Sequence, residues 1–229
     1  MNKIENLCKP HTLALMQAIK DNDWEAFEKE LPLAKVRGQN NGPLRTALSC
    51  GNLKMMERLF NAWAPPVQDV YLLMAAVETN QLHAAQWISD KFYFKKNQKA
   101  LSVAAANGSF ECLQWLLTLP QSHPKNSGSR ALQEAIINNH VACVKLLLPV
   151  SNPKANFSLA AQNAAQYSPH MLPLLIDRCN FDDALNAMKN SKEPNWEAIE
   201  CLQAFCTNKI LTQAVEECTT TCAPNRKKM

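Results

Sequence analysis

The chain has 229 residues, 47% hydrophobic and 19% charged, a balance that can bury a core and excludes a disordered chain. Five glycines are few for a barrel or sandwich with its many tight turns, while alanine and leucine abound, so the composition leans to helix. The formal net charge of +4 is mild: it names no acidic partner by itself, and nucleic-acid binding would need a larger positive surplus.

The opening residues, MNKIENLCKPHTLALMQAIK, lack the long apolar run of a signal peptide. No later segment offers about 18 uninterrupted apolar residues. A soluble protein without a membrane span is expected, with no export route legible at this end. The nine cysteines are odd in number and scattered, several within helical patterns. That suits a reducing, cytoplasmic compartment better than a disulfide framework.

Along the chain, five positions form a ladder. Asn22, Gly51, Asn80, Gly108 and Asn139 stand 29, 29, 28 and 31 residues apart. Each is Gly or Asn, the residues that most readily take the left-handed conformation ending a helix. Four residues before each stands alanine (Ala18, Ala47, Ala76, Ala104, Ala135), and three before that, leucine (Leu15, Leu44, Leu73, Leu101, Leu132). Two residues after each comes a bulky apolar anchor: Trp24, Leu53, Leu82, Phe110 and Val141. Pairs such as Ala26-Phe27, Met55-Met56 and Cys112-Leu113 follow, then Leu59-Phe60, Leu116-Leu117 and Leu147-Leu148. These offsets draw one apolar stripe on a helix. Each unit is therefore an inner helix, a tight turn, an outer helix and a connecting finger. Two degenerate units follow, from about Ser158 to Asp177 and from about Asp182 to Phe205, the last with Trp196 as anchor and an insertion at Lys192–Asn195. A helix near Lys209–Cys218 is expected to cap the stack, because a terminal repeat must shield an apolar end. Residues 1–218 thus form one solenoid domain, and 219–229 are expected to be a disordered tail.

Residues 101–117, LSVAAANGSFECLQWLL, and 131–148, ALQEAIINNHVACVKLLL, resemble the ankyrin repeat pattern L-H-x-A-A-x-x-G-H-x-x-V-V-x-x-L-L. The similarity covers roughly residues 11–205. Gly42-Pro43-Leu44 keeps a trace of the family's T-P-L-H box, which is otherwise absent: Met74, Ser102 and Gln133 fill the histidine place. The bonds that this box makes between repeats are therefore in doubt, and the short period, below the family's 33 residues, predicts abbreviated fingers. The expected fold is an all-α ankyrin-repeat solenoid of about seven helix-turn-helix units of about 29 residues, with capping helices.

The resemblance implies a non-enzymatic protein-binding module whose concave side is built from fingers and inner helices. Fingers are expected at residues 37–41, 65–69, 92–99, 122–130 and 151–157. They and their edges carry Arg37, Arg45, Lys91, Lys95, Lys96, Lys99, Lys125, Arg130 and Lys154, against Asp69 and Asp90. A basic rim could steer an acidic partner inward, although loops ordinarily carry charge. Three consecutive aromatics, Phe92-Tyr93-Phe94, cannot all point into one core, and rings beside cations make interface anchors. The candidate partner-binding residues are Phe92, Tyr93, Phe94, Lys95, Lys96, Lys99, Asn107, Lys125, Arg130, Glu134 and Asn138.

No phosphate loop, dinucleotide fingerprint, nucleophile elbow or zinc-protease motif is present in the sequence. The five histidines fall in different units, too dispersed for a metal cluster, and Cys112 and Cys143 stand where the stack needs a small apolar residue. No catalytic residue, metal or cofactor is assigned. A thiol- or metal-dependent enzyme and a nucleic-acid binder are the alternatives. The shortened, asparagine-rich repeats also resemble ankyrin-repeat effectors of intracellular bacteria, which would place the protein in a host cytoplasm or nucleus; a eukaryotic or viral adaptor is the other origin. A partner protein and a monomeric chain are expected.

Overall fold

The computed structural model describes residues 3–34, 38–62, 70–92 and 98–221; among them are fourteen α-helices, one 3-10 turn and no strand. They fall into two compact units, Met1–Val150 and Ser151–Met229.

In the first unit the helices come in pairs. α1 (Lys3–Lys20) precedes α2 (Trp24–Glu30), α3 (Gly38–Cys50) precedes α4 (Leu53–Ala62), and α5 (Val70–Glu78) precedes α6 (Leu82–Lys91). α7 (Gln98–Asn107) precedes α8 (Phe110–Thr118), and α9 (Asn126–Ile137) precedes α10 (Val141–Leu147). Each pair turns on the expected residue, with φ of 55° at Asn22, 68° at Gly51, 56° at Asn80, 68° at Gly108 and 64° at Asn139. The residue after the turn sends its N–H back to the recurring alanine: Asp23 to Ala18, Asn52 to Ala47, Gln81 to Ala76, Ser109 to Ala104 and His140 to Ala135, at 2.8–3.1 Å. This is the Schellman closure, which satisfies carbonyls that a helix end would leave orphaned. The same residue's carbonyl then accepts the first bond of the outer helix, as Ser109 does from Leu113 at 2.8 Å. One residue thus ends one helix and starts the next.

The ladder leucines and alanines are buried in all five repeats. The bulky residue two places after the turn is not the anchor expected: Trp24, Leu82, Phe110 and Val141 are half-buried and Leu53 is exposed. It stands in the first turn of the outer helix, off the face that the fourth, fifth and eighth positions after the turn bury. Those later positions make the core, as with Cys112, Leu113 and Leu116. The fingers are shorter than expected, because α3, α7, α9 and α11 begin at Gly38, Gln98, Asn126 and Ala155, inside the stretches read as loop.

The inner helices pack in order, α1 on α3, α3 on α5, α5 on α7 and α7 on α9. They point the same way, since bonds join their C-terminal ends. Ser49 donates to the Ala75 carbonyl at 2.9 Å, Thr79 to the Ser49 carbonyl at 2.8 Å, and His140 Nε2 lies 3.0 Å from the Ala106 carbonyl. The bonds left in doubt by the missing box are thus supplied at the turns. Asn52 Nδ2 donates to Asn22 Oδ1 at 2.7 Å. Asn80 Oδ1 accepts from the Cys112 N–H at 3.2 Å, capping the next repeat's outer helix, while its Nδ2 binds the Glu111 carboxylate.

The second unit comprises α11 (Ala155–Tyr167), a 3-10 turn Pro169–Met171, α12 (Leu172–Leu175), α13 (Phe181–Lys189) and α14 (Trp196–Thr221). α11 opens with three left-handed residues, Asn156, Phe157 and Ser158, and the buried Ser158 hydroxyl accepts from the Asn180 N–H at 2.8 Å. Here the turn grammar fails. Ser168 occupies the Gly/Asn place at φ −148°, outside the left-handed region, and the following Pro169 disfavours helical backbone in its neighbour. Trp196 is 61% exposed and anchors nothing: Asn195 caps the helix by accepting from the Ala198 N–H at 3.2 Å, and Ala198, Ile199 and Leu202 form the buried face. The expected capping helix is the distal part of α14, which continues through Thr221, three residues into the segment read as tail. Residues 222–229 lie outside the described residues.

Candidate functional site

The exposed face of α5, α7 and α9 holds a cleft of about 550 Å³. Its floor is Ser102, Val103 and Ala106 of α7, with Met74 on the α5 side and Ala131 on the α9 side. Repeat register explains this set. Ladder leucines and alanines turn inward, so the residues beside them on the helix surface face out between adjacent inner helices. Met74 and Ser102 occupy the place where the family's box has histidine; the short side chain of Ser102 leaves room.

Gln98 and Lys99, in the first turn of α7, line one rim with His123, Pro124, Asn126 and Arg130. Arg130 directly follows Ser129, whose φ of 61° marks the true start of the right-handed part of α9. Glu78, the last residue of α5, and Asn107, the last of α7, line the other. Glu134 lies one turn beyond Arg130 and accepts from its Nε at 3.2 Å. Among the described residues Lys99 and Glu78 have no ion-pair partner. Asn107 and Asn138, in equivalent places, each donate through Nδ2 to the carbonyl four residues back at 2.9 Å, which fixes the side chains.

Four expected residues therefore meet in this cleft: Lys99, Asn107, Arg130 and Glu134. Lys125 and Asn138 are exposed outside its lining. Phe92 does not fit a partner-facing role: it is 7% exposed, its ring edge-on to Phe60 with centroids 5.8 Å apart. It closes α6 and packs inward against Phe60. Tyr93, Phe94, Lys95 and Lys96 lie outside the described residues. Sequence reasoning missed His123 and Gln98, whose stretches read as loop, and Met74 and Ser102, whose signal was their departure from the box.

The buried cysteines are poor nucleophiles. Cys112, Cys143 and Cys179 are buried free thiols. Burial, then the Glu111 charge, pushes Cys112 up to about 11, and burial pushes Cys179 up to about 11 against the opposing Ala161 backbone hydrogen bond and the Lys154 charge. A thiol held protonated is the reverse of an activated one. Among the described residues no cluster of three or more His, Cys, Asp or Glu could hold a metal ion, and no helix is long and apolar enough to cross a membrane.

Residues 72–159 match the family described as ankyrin repeats (3 copies). With the turn geometry above, this shows ankyrin repeats over residues 72–159. Repeats of this family are generally protein–protein interaction modules. No curated protein matches the chain.

Proposed function

We propose that the protein is a non-enzymatic adaptor that holds a partner protein in the cleft over α5, α7 and α9. The observation that carries this reading is the cleft itself, open and crossing three consecutive inner helices. A broad trough with two opposed charged rims suits a polypeptide better than a small metabolite, which needs a closed pocket with convergent polar groups. With Lys95, Lys96, Lys99 and Lys125 as binding residues, the part of the partner that meets them is acidic. The free, unactivated buried thiols support work in a reducing cytoplasm, and the chain acts as a monomer. Delivery into a host cell as a bacterial effector fits the shortened, asparagine-rich repeats.

The test is capture of the partner on full-length protein, followed by kinetics on variants. Lys95→Glu with Lys96→Glu should slow association and flatten its salt dependence; Tyr93→Ala should shorten the lifetime of the complex. Reversal of the exposed outer-helix residues Glu57 and Lys145 should change neither. Loss of binding in the outer-helix variants alone would put the partner on the other face.

A further inference from the structure

We infer that the cleft receives an extended segment whose acidic side chains lie along one edge and basic side chains along the other. The inference rests on the protein-binding reading and deepens it.

Two observations lead there. The first is size. Three packed inner helices at 8–10 Å spacing make a trough roughly 20 Å long, open along its length. About six residues of an extended strand at 3.3 Å each cover that length.

The second is the placement of charge. Because the inner helices run in parallel, one rim collects their N-terminal ends and the other their C-terminal ends. Lys99 and Arg130 stand at the first rim, Glu78 and Asn107 at the second. Helix dipoles add partial charge of the same sign at each rim. The cleft as a whole is balanced, since Glu78 and Glu134 offset Lys99 and Arg130. A segment of one sign would gain at one rim and lose at the other. Successive side chains of a strand point to opposite sides, so a sequence alternating acid and base presents all its acids to Lys99 and all its bases to Glu78.

The experiment is selection of displayed random 12-residue peptides on immobilised full-length protein, run in parallel on Asn107→Trp, which plugs the cleft from an exposed position. Peptides enriched on the unaltered protein over the plugged one should alternate acidic and basic residues. A synthesised representative should bind Lys99→Glu and Glu78→Lys each about fivefold more weakly. The double reversal should regain part of the lost affinity, because the strand can turn over and exchange its edges while Arg130 and the helix dipoles keep their sign; damage to the fold would not be rescued. Cleft-dependent peptides with blocks of charge or one sign only would overturn the edge rule while leaving the protein-binding reading intact. If no peptide distinguishes the plugged protein, both fall.

Discussion

Leu113 and Phe110 lie three residues apart on α8, but only Leu113 is fully buried; Phe110 is half-buried. Leu113→Ala should therefore cost about 2–5 kcal/mol through lost burial and a cavity that neighbours cannot close. Phe110→Ala should cost clearly less, with urea denaturation as the check; equal losses would return Phe110 to the core. Cys112 makes a second residue-level prediction. Its thiol ionises near 9.0 ordinarily and is pushed up to about 11 in the fold, by burial first and the Glu111 charge second. Between those values the folded state holds a proton that the unfolded chain releases, so unfolding gains from rising pH and stability falls across that window. The melting temperature should drop from about pH 9 to about pH 11, and less so in Cys112→Ala. Below pH 9, a polar thiol reagent should label exposed Cys50 quickly and Cys112 and Cys143 only as the protein opens.

At the level of the element, the turn residue and the residue that follows the next repeat's turn form a pair. Gly108 is covered by the His140 ring, and a Cβ there would lie 2.5 Å from Nδ1; Gln81 covers Gly51 in the same way. Where the turn is Asn, the residue opposite is smaller: Asn52 facing Asn22, Ser109 in the repeat after Asn80. Both Gly and Asn reach the left-handed region, but only Gly leaves space for a large neighbour. Gly108→Asn should therefore clash, at about 1–3 kcal/mol, and His140→Ser should lose its bond to Ala106, at about 0.5–1.5 kcal/mol. Together they recreate the Asn-with-small pairing, so the double variant should be more stable than the sum of the singles predicts. Strict additivity in a double-mutant cycle would deny the coupling.

The five turns were legible because a left-handed helix end is chosen by local chemistry, Gly or Asn, wherever it falls. The misplaced anchors were not, since an apolar residue at a helix start looks in sequence like one a turn later. Trp196 misled for the same reason, and Ser168, before Pro169, stays outside the left-handed region. In the site, register pointed to Asn107 and Glu134, whereas Lys99 and Arg130 were expected as finger charges and stand instead in the first turns of inner helices. Phe92 lay at a boundary that sequence could not fix: a residue closing α6 packs inward, whereas the same ring further out in a finger would not.

For the molecule as a whole, stacking turns small local regularities into a surface. Each inner helix contributes one strip, and only side-by-side packing of α5, α7 and α9 makes those strips a trough with opposed rims. Binding should therefore depend on residues that are far apart in sequence and on the same face. The most direct measurement is the affinity of the captured partner for Val103→Glu, which puts a charge on the half-buried cleft floor, compared with Glu57→Lys on the exposed side of α4, both shown by circular dichroism to keep their helix content. If the cleft is the partner's seat, Val103→Glu loses at least tenfold, about 1.4 kcal/mol, while Glu57→Lys binds like the unaltered protein. Full binding by Val103→Glu with loss in Glu57→Lys would contradict it.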